Sequence, residues 1–533
     1  MRIHSLIISA QTIRCAGLLS AFVILSTACG GAAVQEPAVP RPGSAPAGST
    51  ATPAPQPAKP ADPFAVPESP RDEPTEPASS APVSLDAWQK AKKAKGVGPS
   101  PSSCLAHAKK VEKGSAFERA QRADLSPVEC GDAIVDPLLE TLDAAAGASK
   151  DAPDNVRLAI GFSLAGKLAR TALAPPSMGE AVSRNDKEKV KAFITGPLKT
   201  WAVAQSAAIE LLSSGAAGLT GYARGIAAIE AGIAELRLVD KIRSAPVPAS
   251  WDAELKAIYE AALDEALEPR KKRGRDAALV GLSDLAKAGI LRDPRIDRAR
   301  VLLTKLYGGR RVDALDGLLL PAPAPVLAAQ TPEEKTIATT PTFWLDARDF
   351  AVGKDPRVLS RGVTAPVRDH FRQAAADSAD EARSPYARAR LDMGRVYWRR
   401  VDFVEAAHAA AASTKPEDRL VLAVSLALAH GPNGAAEMMR AATPSALDLK
   451  HTEALDALAA PSGIGGALAG MAAYDAAHLR ALSPPDGDDA APYWADVSAR
   501  FRKAETLLGD PAHKKSAAAR AAEIDAIAKA AKK

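Results

Sequence analysis

One change of texture, at Ser84, limits what this chain can fold into more than any other feature. Before it, residues 30–83 hold 14 of the 42 prolines, in fragments such as Pro53-Ala54-Pro55-Gln56-Pro57 with Ser, Thr, Ala and Glu between them. A segment of that composition buries too little apolar surface to offset its ordering entropy, and its prolines favour polyproline II. It is expected to be a disordered spacer with a fully extended reach on the order of 170 Å, at about 3.1 Å per residue. A proline-rich recognition motif is the sharper alternative. After Ser84 apolar residues follow helical spacing between turn residues, and Ser84 itself stands where a cap for the first helix belongs. Aromatic residues are only 4% of the chain while alanine abounds. That suits helices packed through small side chains and disfavours a β-sandwich or barrel. The expected fold class is all-α.

The start of the chain reads as an export signal. Arg2 and Arg14 supply basic residues, Ala16 to Leu25 an apolar core, and small residues precede Cys29. The apolar core is about ten residues, too short for a bilayer that needs about 20. Leu25-Ser26-Thr27-Ala28-Cys29 resembles the lipobox of bacterial lipoproteins, with the apolar residue one place further from the cysteine than is common. The resemblance implies cleavage before Cys29, acylation of that residue and, with Gly30 rather than Asp after it, sorting to the outer membrane. Two or three acyl chains suffice for stable anchoring. An ordinary signal peptide that happens to end near a cysteine is the alternative.

Cys15 lies within the signal and Cys29 takes the lipid, which leaves Cys104 and Cys130. In an oxidising compartment a disulfide is the default for such a pair, contributing roughly 3 kcal/mol through loop closure. A zinc site would need more ligands than His107 offers beside them.

The expected organisation is a signal at 1–28, the lipidated cysteine and spacer at 29–83, an N-terminal helical lobe at 84–320, a proline-rich link at 321–342 and a C-terminal lobe at 343–533. Residues 85–113 carry seven lysines against Asp86 and Glu112; the patch would suit weak contact with anionic envelope polymers, or is simply a solvated helix face. Helices are expected at Ile134–Ala146, Asn155–Leu173 and Lys187–Leu212, the last broken or kinked at Gly196-Pro197. Gly215, Gly218, Gly221 and Gly225 would line one helix face in a tightly packed hairpin; Glu210, Arg224 and Glu230 exclude a membrane reading. Further helices are expected at Trp251–Leu267, Asp276–Ala288 and Asp297–Leu306. Pro269 stands at a joint, with Arg270-Lys271-Lys272-Arg273-Gly274-Arg275 as an exposed basic loop. Charge is nearly balanced overall, 68 Lys+Arg against 63 Asp+Glu, so no nucleic-acid partner is expected.

In the second lobe, Gly394-Arg395-Val396-Tyr397 followed by Phe403-Val404-Glu405-Ala406 resembles a tetratricopeptide repeat, the helix pair of about 34 residues. In that family a small residue, an aromatic, a second aromatic and an alanine at these spacings interlock the two helices, and Gly394, Tyr397, Phe403 and Ala406 match them. Arg390 stands where a large apolar residue is usual, Val401 replaces the turn glycine, and Pro416 comes two residues early. Pairs can be drawn as Tyr386–Arg400 with Phe403–Thr414, Glu417–His430 with Asn433–Ala442, Ala446–Ala459 with Ile464–Leu482, and Tyr493–Leu508 with Pro511–Ala531. The body is thus expected to be a helix-pair α-solenoid in two lobes.

No catalytic, metal or cofactor motif stands out. The eight histidines form no ligand-spaced pair, and His408, His430 and His478 read as structural or solvated. There is no Gly-x-Ser-x-Gly elbow or Ser-x-x-Lys helix. Gly463-Ile464-Gly465-Gly466 lacks the strand before and the Lys-Ser or Lys-Thr after that a phosphate loop needs, and Asp486-Gly487-Asp488-Asp489 lacks a calcium loop's closing Glu. Tyr397, Trp398, Phe403, Tyr493 and Trp494 would line a sugar cleft if exposed and pack the core if not. These observations favour an envelope-anchored scaffold for an unknown envelope protein over a glycan-binding protein or enzyme, with a passive spacer third.

Overall fold

The computed structural model describes residues 62–68, 83–144, 153–178, 186–291, 293–306, 312–321, 380–486 and 490–530. The signal segment, Cys29, most of the spacer and residues 322–379, which include nearly all of the expected link, lie outside them. Among the described residues the fold is all-helical, and the only extended pairing is an isolated bridge between Val97 and Thr171.

The N-terminal lobe runs through α1 (Asp86–Lys92), α2 (Cys104–Lys109), α3 (Ala116–Asp124), α4 (Gly131–Ala144) and α5 (Pro153–Ala169). It continues with α6 (Lys187–Phe193), α7 (Lys199–Ala216), α8 (Gly221–Arg243), α9 (Ala253–Lys287) and α10 (Pro294–Leu306). Ser115 starts α3 with a full capping box: its hydroxyl accepts from Glu118 N–H while the Glu118 carboxylate accepts from Ser115 N–H at 2.8 Å. Between α6 and α7, Ile194–Leu198 forms a π-turn containing Pro197. The missing N–H is absorbed there as a bulge, so the expected break becomes a deformation of one long rod.

The centre of this lobe is α8. Ala, Gly, Ile and Leu dominate it and most of its residues are buried, Glu230 and Glu235 among them, because α5, α7, α9 and α10 all pack on it. The expected four-glycine helix face is not formed, because α7 ends at Ala216 and α8 starts at Gly221, whose φ is +53°. Gly218 belongs to the turn, so the hairpin stands but its glycine seam lies elsewhere. Gly225 and Gly232 of α8 meet Gly281 and Gly274 of the antiparallel α9, both pairs spaced by two turns. A Cβ on Gly232 would lie 2.7 Å from the Gly274 carbonyl oxygen, and one on Gly281 2.9 Å from that of Gly225.

Helix α9 overturns a second expectation. The basic run is not an exposed loop: one helix of 35 residues passes straight through Pro269, about 52 Å at 1.5 Å per residue. A proline in a helix interior costs about 3 kcal/mol. Here burial offsets it, since Leu263, Leu267, Arg270, Gly274 and Ala278 lie buried along one side of α9. Arg270 adds an ion pair to Glu235 of α8 at 2.8 Å.

The C-terminal lobe comprises α11 (Asp380–Tyr397), α12 (Arg400–Ala411), α13 (Pro416–Leu428), α14 (Ala435–Arg440), α15 (Glu453–Ala459), α16 (Gly466–Leu482), α17 (Ala490–Leu507) and α18 (Pro511–Ala530). Three of the expected pairs pack together, α11 with α12, α15 with α16 and α17 with α18, but the pair drawn as Glu417–His430 with Asn433–Ala442 does not: α14 packs on α9 instead of α13. The middle of the array is shortened, α14 to six residues, where Gly434 at φ +116°, Pro444 and Asp448 at φ +50° interrupt it.

The two lobes share one hydrophobic core. At the junction the Tyr397 hydroxyl donates to the Ile290 carbonyl at 2.5 Å, the Trp398 indole N–H to Val312 at 2.8 Å and the Arg399 guanidinium to Ala286 at 2.8 Å. Arg399 thereby caps the carboxyl end of α9, where a cation is favoured.

Candidate functional site

A cleft of about 620 Å³ lies between α7, α8 and α9. It exists because α7 and α9 both lie on the narrow alanine surface of α8 and diverge above it. Its floor is Ala227, Ala228 and Ala231, and its polar rim comes from Glu210, Lys272 and Asp276 together with a clamp on Glu235. Arg270 and Arg273 hold Glu235 at 2.8 and 3.0 Å, and Arg270 also reaches the Ser206 hydroxyl. At the far end Arg224 makes a bidentate pair with Asp284, both contacts 2.6 Å. The carboxylate at the centre is thus shielded by two guanidiniums. No aromatic residue lines the cleft, so it offers no stacking platform for a sugar ring.

A buried polar array connects α1, α4 and α5. The Trp88 indole donates to Ser163 Oγ at 2.9 Å, Lys167 Nζ lies 3.1 Å from that oxygen, and Lys167 also contacts Asp136 and Asp132. Burial pushes the Asp136 carboxyl up, and the Lys167 charge offsets this only in part. Burial acts on Asp132 too, but Arg170 and Lys167 outweigh it and hold that carboxyl below the usual range. Ser163 and Lys167 sit one helical turn apart on α5. The pair has the groups of a serine–lysine hydrolase. Ser163 is 0% exposed beneath Trp88 and Lys167 is committed to two carboxylates, so the array joins three helices and presents no nucleophile to a substrate.

A second network is sealed deeper. The Tyr222 hydroxyl donates within reach of Asp124 and Asp293 at 3.0 and 2.9 Å, and Arg295 meets the same carboxylates at 2.7 and 3.0 Å. Burial holds the phenol well above its ordinary range, with Asp124 and Asp293 adding to the shift.

Cys104 and Cys130 are joined by a disulfide, which ties α2 to the start of α4. The seven lysines of 85–113 are all exposed, with Lys92 meeting Glu140 at 2.6 Å. Of the repeat-signature residues, Gly394 and Phe403 touch directly: a Cβ on Gly394 would overlap the Phe403 ring at 2.4 Å. Ala406 is buried in the same seam. Tyr397 adds its hydroxyl bond to the first lobe, a role the repeat pattern did not suggest. Arg390, the polar residue at a usually apolar position, is 2% exposed and held by Asp402 at 2.5 Å and Glu405 at 2.9 Å. It fills the position with a buried ion pair instead of an apolar knob.

Of the aromatic cluster, Tyr397, Trp398 and Phe403 are buried in the core, whereas Tyr493 and Trp494 are half-buried against it, the Tyr493 hydroxyl bonding the Arg480 and Ser483 carbonyls. Gly463 to Gly466 form the turn between α15 and α16, with Ile464 N–H donating to the Leu458 carbonyl. Asp486 accepts from Thr443 and Ser445; the rest of its run lies outside the described residues. His478 bonds the Ala314 carbonyl at 2.8 Å, and the rings of His430 and His451 lie 4.2 Å apart. Burial, with the neighbouring His451, holds His430 below the ordinary histidine range. Among the described residues no group of three or more His, Cys, Asp or Glu is placed to hold a metal, and no helix is long and apolar enough to cross a membrane. Comparisons with protein-family models, with curated proteins and with solved structures find no match to this chain.

Proposed function

We propose that this chain is a lipoprotein anchored in a bacterial envelope through Cys29, with a helical body that serves as a protein–protein interaction scaffold. The observation that carries the reading is the interlock of Gly394 with Phe403 at the head of an array in which α11 with α12, α15 with α16 and α17 with α18 pack as helix pairs. Arrays of that kind present an extended face to a peptide or a partner domain. Glycan binding or cleavage, the competing reading, needs carboxylates facing one another across exposed aromatics. The cleft instead has alanine walls and a carboxylate clamped by Arg270 and Arg273.

The test is photo-crosslinking in intact envelopes with a benzoylphenylalanine placed in turn at exposed positions Glu437, Lys450, Lys503 and Lys515. The full chain is required, because Tyr397, Trp398 and Arg399 bond the first lobe and a severed second lobe would expose them. One discrete adduct recurring at neighbouring positions is the expected result. Adducts no different from those of an unrelated envelope lipoprotein would refute the scaffold reading.

A further inference from the structure

Within the proline-rich tract, residues 62–68 are described, and they lie against the C-terminal lobe. Asp62-Pro63-Phe64-Ala65 makes a β-turn: Ala65 N–H donates to the Asp62 carbonyl at 3.1 Å and Phe64 N–H to the Asp62 carboxylate at 3.0 Å. Proline pre-sets the backbone for the second turn position, and an aspartate side chain bonding two residues on fixes the first. The turn carries Phe64 and, two residues later, Val66 toward the body. Both are half-buried against the hydrophobic core while Pro63, Ala65 and Pro67 between and beside them stay exposed. The turn and the residue after it thus present the two apolar side chains to the body and leave their neighbours in solvent. Over the Phe64 ring, at 4.2 Å from its centre, sits the guanidinium of Arg419 in the first turn of α13. The contact is a close cation–π pair.

We propose that the start of α13 is a docking site for a proline-flanked aromatic turn, and that its occupant is the chain's own Asp62–Pro67 segment. The tract then does not lead straight to α1. It is pinned to the second lobe at Phe64 and re-enters the first lobe at Val83 and Leu85, which pack beside α1. A contact this small holds because the segment is tied in place: short linkers give effective concentrations of about a millimolar. The consequence for anchoring rests on lipid attachment at Cys29, whereas the docking itself does not. With the body held at Phe64, the spacer available between lipid and body is residues 30–61, a full reach of roughly 100 Å rather than about 170 Å. Release of the segment would lengthen the leash without any change in the helices.

Fluorescence transfer between dyes on Ala58→Cys and Lys415→Cys in the full mature chain, held in detergent micelles, reads the docking. In the pinned state the first dye is six residues from Phe64, at most about 19 Å along a proline-rich chain; released, it is tied only at Val83, 25 residues away, and can range up to about 78 Å from a point on the other lobe. The parent should give one narrow high-transfer population. Phe64→Ala and, separately, Arg419→Glu should each move most molecules to a broad low-transfer population while helical content stays constant by circular dichroism. A parent distribution as broad as that of Phe64→Ala would overturn the proposal. So would an Arg419→Glu variant that keeps the parent's distribution, because the ring would then be held elsewhere. Neither outcome depends on a partner or a membrane, so the scaffold reading stands or falls separately.

Discussion

The glycine seam between α8 and α9 makes a sharp quantitative demand. A Gly232→Ala side chain would place its Cβ 2.7 Å from the Gly274 carbonyl oxygen and 3.2 Å from the Ala278 nitrogen. Both neighbours belong to helix backbone, so neither can rotate aside and the two helices must part by a few tenths of an ångström. Overpacking of this kind costs about 1–3 kcal/mol. Alanine recovers up to about 1 kcal/mol over glycine through helix propensity alone, which leaves a net loss of up to about 2 kcal/mol. For a body of this size that is a drop of a few degrees in melting temperature. Urea unfolding followed by circular dichroism would measure it. Gly196→Ala serves as the control, since nothing lies within 4 Å of its added Cβ; it should be neutral or stabilising. Gly232→Ala at or above the parent's stability would mean that the helices do not approach as closely as described, and the reasoning would fail.

Other consequences follow from buried charge. Arg390→Met leaves the buried Asp402 with only Arg399, at 3.5 Å, and Glu405 with the Tyr386 hydroxyl in place of their closest cation; it should cost about 3 kcal/mol in urea unfolding, whereas adding Asp402→Leu and Glu405→Leu should restore most of the loss. An isolated Arg390→Met that is neutral would contradict the burial of the pair. Asp475 is fully buried at the lobe junction, accepting from Leu319 N–H at 2.7 Å through one oxygen while the other has no hydrogen-bond partner among the described residues. Burial pushes its carboxyl well above the usual range. Because the folded state then holds a proton that the unfolded chain releases near pH 4, this residue's contribution to stability falls as pH rises from about 4 toward neutrality. The parent should therefore lose stability relative to Asp475→Asn between pH 4.5 and 7.5, and parallel pH profiles would count against the assignment.

Much of the helical order was legible because the chain punctuates it. Proline, glycine and capping residues bracket α4, α5, α13, α16 and α18 within a few residues of the expected limits. The expectation failed where tertiary burial overrode local preference. Pro269 and the basic residues after it read as a joint, yet Arg270 finds Glu235 and Gly274 finds Gly232, and those partners lie on another helix. Spacing along one helix cannot reveal such a pairing, although Gly225 with Gly232 and Gly274 with Gly281 share a seven-residue interval that would have hinted at it. The Gly394 and Phe403 interlock was readable, since both residues belong to one helix pair. The role of Tyr397 at the lobe junction was not, because its acceptor is a backbone carbonyl more than a hundred residues earlier. In the proline-rich tract, Phe64 and Val66 were the signal that a docked segment interrupts the spacer. Two apolar residues in alternation among prolines are easily absorbed into a compositional average.

The proposed anchoring of the body through lipid on Cys29 is tested by Cys29→Ser, expressed at the parent's level and followed by separation of membrane and soluble fractions. The parent is expected to stay with the membranes while the variant moves to the soluble fraction with unchanged helical content. Identical fractionation of the two would contradict it.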